Sequence, residues 1–102
     1  MAKGQMIVAL DFSGIAEDEF HDWFDTEHIP ALTRVPGVLC ARRFKSADSG
    51  PKYVALYHLT TPEVIESAEW KGASESTPMP AHIRPQIADR IRFICRRYER
   101  KA

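Results

Sequence analysis

The stretch Asp22–Phe44, which reads DWFDTEHIPALTRVPGVLCARRF, decides the fold of this chain. It predicts a helix that is broken at Pro30, a turn at Pro36 and Gly37, and a strand after that turn. Because proline lacks the backbone N–H of a regular helix, we expect only a short final turn after it. His28 lies just before this break, where its side chain can be directed toward a pocket. Histidine is the side chain most easily tuned to acid or base chemistry near neutral pH.

Hydrophobic periodicity on either side of this stretch predicts the order strand, helix, strand, strand, helix, strand. The first helix, 17–34, begins with three acidic residues, which favour the positive end of its dipole. The second helix is expected to begin at Thr60-Thr61-Pro62, a threonine cap followed by proline, and to extend to Trp70. The predicted strands are 6–12, 38–45, 53–59 and 90–98; the first ends at Ser13 and Gly14, and 71–85 is expected to be irregular.

Two strand–helix–strand halves joined by a hairpin predict one ferredoxin-like α+β domain over residues 1–102. Such a βαββαβ fold has an antiparallel sheet in the order 4-1-3-2, with both helices on one face. The third strand carries apolar side chains toward both faces, because neighbours such as Leu56 and Tyr57 point in opposite directions. One layer of helices covers only one face. We therefore expect a second copy of the chain to cover the other, giving a homodimer.

Composition and charge narrow the classes of partner. Fourteen Lys and Arg residues balance fourteen Asp and Glu residues, so the formal net charge is zero. This balance argues against a nucleic-acid partner, since such proteins depend on phosphate contacts. We see no long apolar run that predicts a membrane span or a signal peptide, and expect no membrane partner. Cys40 and Cys95 lack the spacing of metal ligands and fall on opposite edges of the predicted sheet, which predicts reduced thiols and a cytoplasmic location.

A family resemblance is carried by positions spread over nearly the whole chain: Trp23, Glu27–Pro30, Leu32, Pro36, Gly37, Arg43, Phe44, 53–57, Trp70, Arg97 and Tyr98. In these positions the sequence resembles the EthD-like branch of the dimeric α/β-barrel superfamily. The resemblance implies a homodimer in which two four-stranded sheets pack face to face. It is more specific for this fold than for any one activity.

The resemblance also implies a range of activities. The superfamily includes muconolactone-type isomerases, polyketide cyclases, cofactor-independent monooxygenases and haem-binding proteins. Members similar to the isomerases and cyclases use a helix histidine together with a tyrosine or a second histidine, and His28 is the matching position here. The haem-binding members use a differently placed histidine in a longer chain, so the resemblance implies no haem ligand.

The residues themselves leave two roles open for His28. At about 100° per residue, Phe20, Phe24 and Ala31 define the buried arc of the first helix, and His28 falls near its edge. An imidazole at the mouth of a pocket would act as a general base or acid. In the alternative, the ring caps a free carbonyl at the broken end of the helix.

Glu27 falls inside the same apolar arc, where a carboxylate needs a partner. We expect an ion pair with Arg42 or Arg43 on the following strand; the alternative is a carboxylate that orients His28. No metal site is predicted, although two histidines and a carboxylate lie within about 60° of one another on an ideal helical wheel. That face is the polar side of the helix, and its members are His21, Asp25 and His28.

Tyr57 and His58 are adjacent on the third strand, so only one of them can share a pocket with His28. Tyr57 is the second catalytic candidate, although both residues also suit an ordinary core. Whichever of the two neighbouring arginines of the second strand points inward could hold an anionic or enolate oxygen. The candidate substrate contacts are Trp23, Phe24, Arg43, Tyr53 and His58.

The sequence therefore predicts a small, largely apolar cavity that binds an apolar or aromatic carbonyl compound without a cofactor. In an enzyme of this kind, His28 moves a proton next to the carbonyl and Tyr57 or an arginine stabilises the enolate, as in an isomerase or cyclase. Two alternatives stay open. One is a non-catalytic accessory or binding protein of a catabolic pathway, and the other is a cofactor-independent monooxygenase. The residues alone leave open whether the protein is an enzyme.

Overall fold

The computed structural model describes residues 2–12 and 17–100, apart from the side chains of residues 12, 86, 88 and 89. One antiparallel sheet contains β1 (Gly4–Phe12), β2 (Val38–Lys45), β3 (Tyr53–Leu59) and β4 (Ile87–Arg96) in the order β2-β3-β1-β4. This confirms the predicted ferredoxin-like α+β topology. The bounds of β2 and β3 are those predicted, whereas β1 and β4 begin earlier. The predicted end of β1 at Ser13 and Gly14 lies outside the described residues.

The first helical segment changes its winding before Pro30. It consists of α1 (Glu17–Trp23), a π-helical turn (Phe24–His28) and α2 (Ile29–Thr33). The wide turn closes with a bond from the Ile29 N–H to the Phe24 carbonyl, five residues back. A proline ring clashes with the carbonyl four residues before it in a regular helix, and a wider turn relieves that clash. The expected irregularity at Pro30 is therefore a π-helical turn.

The second helical segment is divided at Ser67. A 3-10 helix (Pro62–Glu66) precedes α3 (Ala68–Ser76). The Ser67 hydroxyl accepts a hydrogen bond from the Trp70 N–H at 3.1 Å and donates one to the Val64 carbonyl at 2.7 Å. The predicted start is confirmed, because Thr61 is the N-cap residue of the 3-10 helix and Pro62 follows it, although the Thr61 side chain makes no capping hydrogen bond. The predicted end at Trp70 is wrong: a second cap, Ser67, begins α3, which extends to Ser76. A second 3-10 helix (Arg84–Gln86) leads into β4.

The helices pack on one face of the sheet. Alternate residues of β1 and β3 point toward them and form the core with helical side chains; its members are Met6, Val8, Leu10, Phe20, Trp23, Phe24, Leu32, Val35, Ala55, Tyr57, Leu59, Trp70 and Ile83. None of the helices within the described residues is both long and apolar enough to cross a membrane.

The opposite face of the sheet, here called the outer face, is also apolar. By strand register it carries Ile7, Ala9, Phe44, Val54, Leu56, Ile91 and Phe93. Among them, Phe44 is 50% exposed, Ile91 48% and Phe93 47%. Both faces are thus apolar, as the alternation in β3 predicted.

Candidate functional site

A cavity of about 560 Å³ lies between the helices and the sheet, on the side of β4. Its volume falls in the range typical of small-molecule sites. Apolar side chains of β1, β3, the first helical segment and α3 contribute Met6, Val8, Leu10, Trp23, Phe24, Leu32, Tyr57 and Trp70. The polar part of the described lining is His28, Ser74, Glu75, Thr77, Arg84, Arg90 and Arg92.

The π-helical turn ends at His28 and places its ring against the cavity. The imidazole stacks on the Trp23 indole, with 4.7 Å between ring centroids and 22° between ring planes. It also meets the Phe24 ring edge-on, at 5.3 Å and 61°. The atom Nδ1 lies 3.0 Å from the Thr77 hydroxyl oxygen, just after α3. Aromatic packing and this hydrogen bond together fix the ring.

The Thr77 hydroxyl determines which nitrogen of His28 carries the proton. It donates to the Ala73 carbonyl at 3.2 Å. A hydroxyl has one proton; when that proton is donated to Ala73, the oxygen accepts from His28, which assigns the ring proton to Nδ1. The other nitrogen, Nε2, then carries the lone pair, and it has no hydrogen-bond partner among the described residues. His28 is therefore poised to accept a proton at Nε2.

The surroundings of His28 keep it neutral. Burial disfavours its charged form and is the larger cause, and the positive charge of Arg90 adds to it; together they lower the pKa of His28 to about 4. At neutral pH the ring is therefore unprotonated, and the same low pKa makes it a weaker base than an ordinary histidine. Among the described residues the His28 ring bonds Thr77 and no helix carbonyl, which argues against the capping role.

Tyr57 shares the cavity with His28, and His58 does not. Tyr57 is 1% exposed and meets the Trp70 ring edge-on at 5.8 Å. Burial raises the pKa of Tyr57, so its hydroxyl stays protonated and can donate a hydrogen bond to a developing oxyanion. His58 points to the outer face, on the row that contains Gln5 and Cys95.

Arg43 and Tyr53 lie beside a second, much smaller hollow and do not line the main cavity. The Arg43 guanidinium donates to the Asp25 carboxylate at 3.0 Å and lies 4.7 Å from the centre of the Phe24 ring. It also contacts His21 Nδ1 at 2.9 Å. Trp23 and Phe24, in contrast, line the cavity as expected for substrate contacts.

The predicted ion pair of Glu27 with an arginine of β2 is wrong. Glu27 is exposed, and Asp25 holds Arg43 instead. The helical wheel assumed about 100° per residue, whereas a π-helical turn advances by less, so residues after Phe24 rotate away from their ideal positions.

Two members of the supposed metal face, His21 and Asp25, contact Arg43, whereas His28 bonds Thr77.

Sequence reasoning missed the arginines of the cavity wall. Arg90 pairs with Leu10 and Arg92 with Val8, so both side chains lie on the face turned toward the helices. The alternation of arginine with Ile91 and Phe93 was the available signal, because it predicts one charged and one apolar face of β4. Thr77 was also missed, since it lies in a stretch that was expected to be irregular.

Comparisons with known proteins show that this ferredoxin-like fold is shared with several solved structures. No family model and no curated protein matches the sequence. One similar solved structure is the haem degrader MhuD from Mycobacterium tuberculosis, with two haems in its active site; it is 15% identical over 97% of this chain and 99% of that chain, with a TM-score of 0.69. A second is the cofactor-independent oxygenase SnoaB from Streptomyces nogalater, 12% identical over 98% of this chain and 97% of that chain, with a TM-score of 0.66. A third is an ethyl tert-butyl ether (EthD) family protein from Bacillus halodurans, 12% identical over 93% of this chain and 99% of that chain, with a TM-score of 0.63.

The EthD protein among these structures agrees with the resemblance read from the sequence. At these identities the likeness shows the shared fold and no more. The two activities that are named, haem degradation by MhuD and cofactor-independent oxygenation by SnoaB, differ from one another, so the fold does not determine the chemistry of this chain.

Proposed function

We propose that the protein binds a small apolar or aromatic carbonyl compound in this cavity and moves a proton next to the carbonyl without a cofactor. The observation that supports this proposal most strongly is the geometry of His28. Its Nδ1–H bonds the Thr77 hydroxyl, and Nε2 is left to accept a proton. This geometry and the lowered pKa supply a base that is unprotonated at neutral pH.

The proposed step uses two side chains of the cavity. Nε2 of His28 takes a proton from the carbon next to the carbonyl, and the electron pair moves onto the carbonyl oxygen. The Tyr57 hydroxyl donates a hydrogen bond to the resulting enolate. The imidazolium then returns the proton to another carbon of the conjugated enolate, as in an isomerase. In a cyclase, the enolate carbon instead attacks a second carbonyl of the ligand, and the imidazolium gives its proton to the alkoxide that forms. Trp23 and Trp70 supply the apolar walls for the ligand.

We also propose that two copies of the chain form a homodimer through their outer faces. The outer face exposes Phe44, Ile91 and Phe93 on a sheet whose other face is already covered by helices. Burial of apolar area stabilises association by about 25 cal/mol per Å², and a second copy offers a matching apolar surface.

Deuterium exchange tests the proton transfer directly. Phenylacetone is incubated with the protein in D₂O, and loss of its benzylic proton signal is followed by NMR. We expect the wild-type protein to accelerate exchange and His28→Gln to lower the protein-dependent rate by about 100-fold or more. His82→Gln is the matched control, because His82 is exposed and does not line the cavity.

A pair of tryptophan substitutions on α3 tests the place of the reaction. Ser74 lines the cavity, whereas Ser76 is exposed and does not. Ser74→Trp should fill the cavity and abolish the protein-dependent exchange, and Ser76→Trp should preserve it. Equal rates with and without the protein would overturn the proton-transfer proposal. In that case, phenylacetone binding that Ser74→Trp abolishes would leave a non-catalytic binding protein as the function.

A further inference from the structure

One wall of the cavity carries positive charge that nothing in the proposed proton transfer uses. Arg90 and Arg92 lie two residues apart on β4, so their side chains leave the same face of the strand about 7 Å apart. Arg84 joins them from the 3-10 helix before β4. The described lining contains only one carboxylate, Glu75, against these three arginines.

These three arginines have no ion-pair or hydrogen-bond partner among the described residues. Other arginines of the chain do have partners: Arg43 pairs with Asp25 at 3.0 Å, and Arg96 pairs with Glu63 at 2.7 Å. Charged side chains can protect an edge strand from pairing with another chain, and β4 is an edge strand. That role alone does not explain why Arg90 and Arg92 share the face that borders the cavity.

The position of Arg90 relative to the proposed base is informative. Its charge acts on the His28 ring, so the two groups are electrostatically coupled. The cavity thus offers an apolar aromatic floor with a neutral base and a cationic wall. A guanidinium is the side chain best suited to hold a carboxylate, because it can donate two parallel hydrogen bonds.

The geometry points to a small aromatic or apolar carboxylate as the ligand, with its anionic group against Arg90 and Arg92 and its apolar part over Trp23, Trp70 and Tyr57. This assignment rests on the proposed function, since it names the substrate class of the same cavity. A carbonyl compound of this class carries a carboxylate as well as the carbonyl, and its anion would lie on the β4 side of His28.

The test compares two probes that differ in charge but hardly in shape, phenylacetate and phenylacetamide. Each is titrated into ¹⁵N-labelled protein, and the dissociation constant is taken from the shifts of cavity residues. The variants are Arg90→Gln, Arg92→Gln and the double variant. Arg34→Gln is the control, because it removes the same charge from an exposed position outside the cavity.

We expect the wild-type protein to bind phenylacetate at least tenfold more tightly than phenylacetamide. The double variant should bring the two affinities within twofold, mainly by weakening phenylacetate, while Arg34→Gln should leave the ratio unchanged. As a second readout, bound phenylacetate should raise the pH at which the His28 ring titrates, because an anion offsets the field of Arg90.

The remaining outcomes distinguish failure of the carboxylate assignment from failure of the proposed function. Equal affinities in the wild-type protein, with both probes bound in the cavity, would overturn the carboxylate assignment and leave the proposed cavity function standing. A preference that survives in the double variant would show that Arg90 and Arg92 do not cause it, and would overturn the assignment too. Absence of cavity shifts with either probe would overturn the proposed function and, with it, the assignment.

Discussion

The Nδ1 atom of His28 lies 3.0 Å from the hydroxyl oxygen of Thr77, and this contact joins the end of the π-helical turn to the end of α3. The two residues are 49 positions apart in the chain. With the hydroxyl proton donated to Ala73, the contact favours the tautomer of His28 that is protonated at Nδ1, in which Nε2 is the basic nitrogen. Thr77 thus supplies the hydrogen-bond partner that favours one tautomer of the His28 ring.

Thr77→Val tests this control of the tautomer. Valine keeps the shape of threonine but removes the hydroxyl, so the Nδ1–H of His28 loses its acceptor. We expect a loss of about 1–2 kcal/mol in the free energy of unfolding and a new population of the tautomer protonated at Nε2. Long-range ¹H–¹⁵N spectra of the histidine ring distinguish the two nitrogens. Thr33→Val, which removes a hydroxyl bonded to Pro30, should leave the His28 tautomer unchanged. An unaltered His28 spectrum in Thr77→Val would refute the assigned role.

The pH dependence of stability follows from His28. Its pKa is lowered from 6.5 to about 4 in the folded protein, chiefly by burial and then by Arg90. Between these values the unfolded chain binds a proton that the folded chain does not, so stability falls as the pH decreases from 6.5 toward 4. His28→Gln should lose this part of the pH dependence, whatever its absolute stability. Denaturant unfolding at several pH values measures it. Parallel curves for the two proteins over this window would contradict a depressed pKa.

Substitution of Asp25 should lower the free energy of unfolding more than substitution of Glu27 does, whereas the helical wheel predicted the larger loss at Glu27. Asp25→Asn removes the charged partner of Arg43, but the carboxylate is 54% exposed, so we expect a cost below about 1 kcal/mol. Glu27→Gln should change the free energy of unfolding by no more than about 0.5 kcal/mol, since Glu27 is exposed. A Glu27→Gln variant that is clearly less stable than Asp25→Asn would restore the discarded ion pair.

A single charged substitution tests whether the outer face is the surface of dimer contact. Phe93 is 47% exposed on β4, beside Ile7 of β1. Phe93→Asp should convert the proposed dimer to a monomer, because it places a carboxylate where two apolar faces would meet. Light scattering at micromolar concentration reports the mass. Tyr98→Asp is a suitable control, since Tyr98 is 82% exposed and lies beyond β4. A wild-type protein that is already monomeric would show that the outer face has no such partner.

The sheet was predictable because the residues that form it obey simple alternation. The bounds of β2 and β3 follow from their apolar runs and from the turns that enclose them, and the order of strands follows from the hairpin between two strand–helix–strand halves. Tyr57 and His58 could be assigned to opposite faces from the sequence. Which of them faces the helices could not, because both faces of β3 are apolar.

The candidate site was only partly predictable. Pro30 marks a disturbed helix and so pointed to His28, but the π-helical form of the disturbance was not predicted, and so Glu27 was given the place of Asp25. Thr61 and Ser67 are the N-cap residues of two successive helices, and the sequence pattern predicted only the first of them. Thr77 and Arg90 act on His28 through contacts between distant segments, which periodicity within one element cannot reveal.

The most direct test of the central claim, that the helix–sheet cavity is the functional site, uses the two tryptophans of the chain. Trp23 and Trp70 both line the cavity, and the chain has no other tryptophan. Their indole N–H signals are followed by NMR while phenylacetate is added to the ¹⁵N-labelled protein. We expect both signals to shift and to saturate together with backbone signals of His28 and Ser74. Indole signals that stay in place while residues of the outer face shift would contradict the account.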